Sequence, residues 1–393
     1  MTEAIAIVAA RRTPMGSFQG ELSTMTAAAL GGAAIKACIE DAGISGNDID
    51  DVVMGCVLSA GQGQAPARQA AFAAGLPENI PATTLNKMCG SGMRALMVAV
   101  DQLKAGNGTT LVAGGMESMS NAPYLIPKMR DGARMGHAEV KDHMFLDGLE
   151  DAYDSGKLMG SFAEDCAEKY QFSRESQDEY ALRSLARARS ATEDGTFTAE
   201  ITPVTVTTRR STTEVIRDEQ PANAQPEKIP KLRPAFRDNG TVTAANASSI
   251  SDGAAALILM RESDARAQGR DIKALIRGHT SHAQAPGWFT TAPVGAINKL
   301  LSSLDWSIDD VDLWEINEAF AVVPMAAMAE LKIDAKKVNV YGGACALGHP
   351  IGASGARIIV TLLNALQRAG SKRGIASLCI GGGEGTAVAI ELP

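Results

Sequence analysis

The chain has 393 residues, more than one hydrophobic core ordinarily serves, so two or three domains are expected. Hydrophobic residues at 45% and charged residues at 21% place it among globular proteins, and a net charge of −8 argues against a nucleic-acid partner. Six widely spaced cysteines with no CxxC pair exclude an evident zinc site and fit a reducing compartment.

In chain order, Ile5 to Ala10 reads as a strand and Thr24 to Gly43 as an Ala-rich helix ended by Gly43. Val52 to Leu58 reads as a second strand, followed by a helix from Ala65 to Gly75. Cys89 to Leu103 reads as a further helix. Thr110 to Ala113 reads as a strand running into Gly114-Gly115. This βα alternation predicts a sheet covered by helices. From about Ser120 to Ala247 the pattern breaks into a charge-rich insertion with a polar helix around Ser173 to Glu193, and it resumes at Ala254 to Met260. The initial residues carry no charged segment leading into an apolar one. No apolar run approaches the ~20 residues of a membrane span, and a cytoplasmic protein with no membrane partner is expected.

The two ends echo each other. Cys89-Gly90-Ser91-Gly92-Met93-Arg94 before an apolar helix recurs as Gly352-Ala353-Ser354-Gly355-Ala356-Arg357. Leu111-Val112-Ala113-Gly114-Gly115 recurs as Leu378-Cys379-Ile380-Gly381-Gly382. Asp50-Asp51-Val52-Val53 resembles Asp310-Val311-Asp312-Leu313. Three matches in one order predict internal duplication, with an active site where equivalent loops meet.

The chemistry-bearing residues lie in those loops. Cys89 sits where an extended stretch becomes helical. There, backbone N–H groups and the helix dipole favour a thiolate nucleophile; a buried structural cysteine is the alternative. His349 stands among glycines and a proline, in a turn suited to present its ring to a cavity, although single histidines are often structural. Cys379 ends a strand before Gly381-Gly382-Gly383, whose spacing fits no phosphate loop but lets backbone N–H groups approach an oxyanion. Its sulfur is a nucleophile, a base or a bystander. Asn317 is either an N-cap or an amide that polarises a carbonyl or orients a water.

Taken together, these segments resemble the thiolase family. The resemblance runs through Arg12-Thr13-Pro14, the Cys89 turn, Gly115-Met116-Glu117-Ser118-Met119, Lys231-Leu232-Arg233-Pro234-Ala235-Phe236, Asn246-Ala247-Ser248, Asn317-Glu318-Ala319-Phe320, Gly348-His349-Pro350 and Cys379-Ile380-Gly381. It implies a five-layer α-β-α-β-α fold of two duplicated halves. These are residues 1–119 with 249–272, and 273–393, around an inserted loop domain at 120–248. It implies an acetyl-CoA C-acetyltransferase that joins two acetyl-CoA into acetoacetyl-CoA and CoA by a ping-pong route, and runs thiolysis in reverse. Cys89 would carry the acyl group, and His349 would activate it and share an oxyanion hole with Asn317. Cys379 would be the base, and Gly381 with Cys89 would hold the acyl-enzyme oxygen. Ser248, Phe236, Ala244, Ala319 and Phe320 would line the pantetheine tunnel, with Leu149, Met159 and Phe289 at the acyl end. No metal or cofactor beyond CoA as substrate and product is implied, and a homotetramer is expected.

Three places depart from the acetoacetyl-CoA branch: Leu158-Met159, where a His-Met pair is usual; Phe289, which resembles the type that also takes 2-methylacetoacetyl-CoA; and Arg217 to Pro226, expected to meet the CoA nucleotide, which lacks an expected arginine. The rivals are a degradative 3-ketoacyl-CoA thiolase with longer or branched substrates, a ketosynthase, and a non-catalytic acyl-CoA binder.

Overall fold

In the computed structural model residues 3–393 are described; Met1 and Thr2, at the head of the expected first half, lie outside them. A ten-stranded mixed sheet runs through the protein. Its principal strands are β1 (Ile5–Arg12), β2 (Asp51–Gly55), β3 (Ala82–Leu85), β4 (Thr110–Ser118), β5 (Ser251–Arg261), β6 (Ala274–Ala283), β7 (Leu313–Ile316), β8 (Arg373–Ile380) and β9 (Glu384–Glu391), in the order β7-β8-β9-β6-β1-β5-β4-β2-β3.

The pairing is the same on both sides of the middle. β2 runs parallel to β3 and β4, while β4–β5 and β5–β1 are antiparallel. Likewise β7 runs parallel to β8, while β8–β9 and β9–β6 are antiparallel. Val338 bridges Trp314 in parallel where β3 flanks β2 in the other half. The halves join antiparallel through β1 and β6, with Ile5, Ala6 and Ile7 opposite Ile276, Leu275 and Ala274. Two equivalent strand edges that would stand open thus close each other.

Local caps repeat too. Ser45 N–H donates to Asp48 Oδ2 at 2.9 Å, and Ser307 N–H to Asp310 Oδ2 at 2.8 Å. Asp50 Oδ2 accepts from the Thr109 and Thr110 amides at 2.6 and 3.0 Å. Asp312 Oδ2 accepts from those of Lys372 and Arg373, both at 2.8 Å. The equivalent residues are therefore Asp50 and Asp312, two positions along from a match that sets Asp50 against Asp310.

Helices α1 (Ala27–Ala42) and α2 (Pro66–Ala73) cover the outer face of the first half. α3 (Ser91–Lys104) and α8 (Ser354–Ala369) fill the centre, and α6 (Ala292–Leu304) and α7 (Val322–Leu331) cover the outer face of the second. This is a five-layer α-β-α-β-α stack. β5 shows why both sheet faces are apolar. Ala254, Ala256, Ile258 and Met260 pack towards α1, while Ala255, Leu257 and Leu259 pack into the central layer, as the two-residue strand period requires. At the centre α3 and α8 cross on equivalent glycines. A Cβ on Gly92 would stand 2.8 Å from the Ala356 nitrogen, and one on Gly355 would stand 2.4 Å from that of Met93.

Among the element boundaries that differ from expectation, three bear on the candidate site. β4 continues through Gly114 and Gly115 to Ser118, because the glycines let it run against neighbouring backbone: a Cβ on Gly115 would meet the Gly352 carbonyl. β2 stops at Gly55, after which Val57 and Leu58 turn their amides to Glu117. The helix expected from Cys89 begins at Ser91, leaving Cys89 in the turn before it. The 120–248 segment carries α4 (Met159–Tyr170) and α5 (Arg174–Glu193), the latter capped by Ser173, whose side chain accepts from the Ser176 amide. Among the described residues no helix is long and apolar enough to cross a membrane.

Candidate active site

Cys89 stands at the apex of a tight turn between β3 and α3. Asn86 Oδ1 accepts from the Met88 amide at 2.9 Å, and Met88 takes a left-handed φ of 47°. The Lys87 amide donates to Ser91 Oγ at 2.8 Å, and that hydroxyl donates to Met88 O at 2.7 Å. The sulfur, half-buried, faces its own amide and that of Gly381 from the other half of the chain. The sequence points to a thiolate at this position. The structure shows the reverse balance: burial pushes the Cys89 thiol up to about 11, against the downward pull of the two amides, and the nearby Glu117 carboxylate adds to the rise. At neutral pH the side chain rests as a thiol, so a nucleophilic role would require a base.

His349 follows the short helix Ala344–Leu347, and its amide bonds Ser249 O at 3.1 Å. Its Nδ1 lies 2.5 Å from Ser354 Oγ, and that hydroxyl donates to Pro350 O at 3.0 Å. With the hydroxyl proton so engaged, Nδ1 carries the ring proton and Nε2 keeps a lone pair. Nε2 is buried without a protein partner. Burial, with the Arg357 guanidinium, lowers the His349 pKa to about 3, so the ring is neutral near pH 7.

Cys379 is the penultimate residue of β8 and fully buried. Burial and the proximity of Cys89 hold its thiol well above the usual range. Asn317 lies just past β7, its amide bonded to Ser377 O at 3.0 Å. It is not an N-cap, for α7 starts five residues later, after Ala321. Its Oδ1 and Nδ2 are both buried without a protein partner.

Cys89, His349 and Gly381 open on one cavity of about 230 Å³. Leu149, Leu158, Met159, Phe236, Ser248, Phe289, Ala319 and Phe320 line it, with Phe145, Ile250 and Ile351, which the sequence did not single out. Phe320 meets Phe236 and Phe289 edge-on at 6.0 and 6.4 Å, and Phe289 meets Phe162 at 6.3 Å. Ser248 and Phe320 are brought together by strand-like pairing: the Ser248 amide donates to Ala319 O at 2.9 Å and Ala247 bridges Phe320. Ala244 is not on this wall. It lines a neighbouring cleft of about 350 Å³ with Gln220, Asn223, Lys228, Leu232 and Cys345, because Ala245 and Asn246 separate it from Ala247 and Ser248. Cys379 and Asn317 are buried beside the wall rather than part of it.

Two buried acids that the sequence did not identify hold these loops. Glu117 accepts from the amides of Val57, Leu58 and Gly352 at 3.0, 3.1 and 2.9 Å, tying the His349 segment to the first half. Burial raises its carboxyl to about 7 despite those donors. Glu318 accepts from Tyr180, Ser184, Asn339 and the Cys345 amide at 2.9, 2.7, 2.8 and 3.1 Å, anchoring the Asn317–Phe320 segment on α5. Their signal in the sequence is an acid within an otherwise small or apolar stretch, where burial demands partners. Among the described residues no group of three or more His, Cys, Asp or Glu could hold a metal ion.

The chain is similar to known proteins over nearly its whole length. The family model "Thiolase, N-terminal domain" matches residues 5–263, and "Thiolase, C-terminal domain" matches residues 270–392. The acetyl-CoA acetyltransferase of Escherichia coli is 50% identical over 98% of both chains. That of Pseudomonas aeruginosa is 48% identical over 98% of both. Acetyl-CoA acetyltransferase 2 of Arabidopsis thaliana is 49% identical over 99% of this chain and 97% of its own. The crystal structure of the Bacillus anthracis acetyl-CoA acetyltransferase superposes with a TM-score of 0.97 at 41% identity, covering 100% of this chain and 99% of that one. Two matching domains and near-full-length relatives establish that this chain belongs to the thiolase family of acyltransferases.

Proposed function

We propose that this chain is an acetyl-CoA C-acetyltransferase, joining two acetyl-CoA into acetoacetyl-CoA and CoA through acetyl-Cys89 and running the thiolysis in reverse. The observation that carries the reading is the convergence of Cys89, His349 and Gly381 on one apolar cavity, with the Cys379 sulfur beside Cys89.

In the first half-reaction His349 Nε2 takes the Cys89 proton as the sulfur attacks the thioester carbonyl. The developing oxyanion lies against the amides of Cys89 and Gly381, and CoA leaves with the proton from His349. In the second, Cys379 passes its proton to His349 Nε2 and, as the thiolate, removes a methyl proton from a new acetyl-CoA. His349, and a water held by Asn317, receive the enolate oxygen. The carbanion then attacks acetyl-Cys89, and the Cys89 sulfur leaves and regains its proton from His349, which restores all three groups to their resting forms. One preorganised donor on such an oxyanion can contribute ~3–4 kcal/mol, which makes deprotonation of a weak carbon acid feasible. Splitting the transfer through an acyl-enzyme implies ping-pong kinetics.

The CoA chain would pass from the cleft at Ala244 and Lys228 to Ser248 and Phe236. Met159, Phe236 and Phe289 stand on the wall of a cavity of about 230 Å³, and this reading takes them as the limit that favours acetyl over long chains. The exposed apolar side chains of Tyr124, Ile126, Met129, Met135 and Val140 fit the expected homotetramer, with 120–248 as the assembling insertion. The domain bounds above, a cytoplasmic site and the lack of any further cofactor belong to the same reading.

The second reading, a degradative thiolase acting on longer or 2-methyl-branched 3-ketoacyl-CoA, is favoured by Phe289 alone. Thiolysis rates on acetoacetyl-CoA, 2-methylacetoacetyl-CoA and 3-ketohexanoyl-CoA decide between them. The proposal expects the first to be fastest, and a faster six-carbon substrate overturns it.

A further inference from the structure

Lys87 Nζ and the Glu384 carboxylate form an ion pair that crosses from one half of the chain to the other. Its ends are placed close to the two reactive sulfurs. Lys87 lies two residues before Cys89, in the turn that presents it. Glu384 opens β9 opposite Ile380, the residue after Cys379. Neither side chain lines the acyl cavity.

The turn at Cys89 needs outside support. Met88 holds a left-handed φ of 47°, a conformation that persists only where surroundings enforce it. Inside the turn the enforcing bonds are those of Asn86, Lys87 and Ser91. From outside, the turn is pressed on the end of β8: a Cβ on Gly90 would stand 2.4 Å from Ile380 Cδ1. Such a contact opposes closer approach but does not resist separation. The ion pair is the attractive link at the same junction. With side-chain exposures of 24% and 37%, it contributes little to global stability, so a positional role is the one its location can serve.

We propose that Lys87 and Glu384 are positioning residues that hold the Cys89 turn against the end of β8 and so set the separation of the Cys89 and Cys379 sulfurs for carbon–carbon bond formation. The proposal rests on the condensation chemistry given above. Acetylation of Cys89 uses His349 and the amides of Cys89 and Gly381 and makes no call on the second sulfur. Condensation needs both sulfurs in register on one pair of acetyl groups, and small misplacements at reacting atoms are costly.

The test compares wild type, Lys87→Met, Glu384→Gln and the reciprocal Lys87→Glu/Glu384→Lys chain. Intact mass after acetyl-CoA reads acetylation, steady-state kinetics read condensation, and thermal melting reads folding. Each single variant is expected to melt like wild type and gain its acetyl group normally. Its condensation kcat should fall by about 10- to 100-fold with KM little changed, and the reciprocal chain should recover most of the loss. Singles with full kcat, or a reciprocal chain slower than the singles, overturn the positioning role while leaving the chemistry intact. A wild-type chain that gains no acetyl group overturns the chemistry itself.

Discussion

His349 Nδ1 lies 2.5 Å from the Oγ of Ser354, the first residue of α8, and with the serine proton directed to Pro350 O this contact decides which ring nitrogen keeps its lone pair. Because the serine proton goes to Pro350 O, the imidazole is held with its basic nitrogen unpaired. Ser354→Ala removes the acceptor and frees the ring to change tautomer. Its kcat should fall by about 10- to 100-fold, less than the 10²–10⁴ of losing a general base outright. KM for acetyl-CoA should hold within a factor of about two, since the hydroxyl does not line the cavity. Steady-state kinetics with a thermal melt as control measure it.

The Cys89 thiol, pushed up to about 11 by burial, reacts with alkylating agents only through its thiolate. The raised value means that the thiolate fraction is small at neutral pH and grows as pH rises. Inactivation of the free enzyme by iodoacetamide should therefore accelerate about tenfold per pH unit from neutrality upward and level off only near 11. A plateau by pH 7 would mean that the backbone amides outweigh burial.

Asp50 and Asp312 perform one task in two places, each accepting two amides at the start of a central strand, β4 or β8. Asp50→Ala and Asp312→Ala each strand those donors. Each should cost about 1–3 kcal/mol in denaturant unfolding, the usual penalty for unsatisfied amides. Similar losses would extend the duplication from geometry to energetics.

Phe289 is buried between Phe162 and Phe320 and forms part of the cavity wall. Phe289→Ala enlarges the acyl end and leaves space among aromatic neighbours, at a stability cost of about 3–5 kcal/mol. The ratio of thiolysis on 3-ketohexanoyl-CoA to that on acetoacetyl-CoA should rise. An unchanged ratio would remove Phe289 from the determinants of chain length.

The loops that converge on the cavity were legible because each carries a pattern that ordinary packing does not need: a cysteine at a strand-to-helix turn, a histidine among glycines, a sulfur ahead of three glycines. The repeat was legible as well, although its register was not, since Asp50 finds its equivalent in Asp312 only through the amides both accept. What the sequence could not supply was the balance between opposing effects. The helix start and the Gly381 amide do favour a Cys89 thiolate, but burial, which no local segment reveals, outweighs them. Asn317 has the residue type of an N-cap, yet the helix it would cap begins five residues on. Glu117 and Ser354 act through partners distant in the chain or hidden in a turn, and Ala244 belongs to the neighbouring cleft. Each is a matter of tertiary placement.

The division of labour between the two sulfurs is tested most directly by mixing acetyl-CoA with wild type, Cys89→Ser and Cys379→Ala and reading intact mass beside condensation rate. Wild type and Cys379→Ala should each gain one acetyl group that maps to Cys89, while Cys379→Ala loses condensation by about 10²–10⁴-fold and Cys89→Ser gains no thioester and turns over nothing. An acetyl group that maps to Cys379, or a Cys89→Ser chain that keeps most of its activity, would contradict the mechanism.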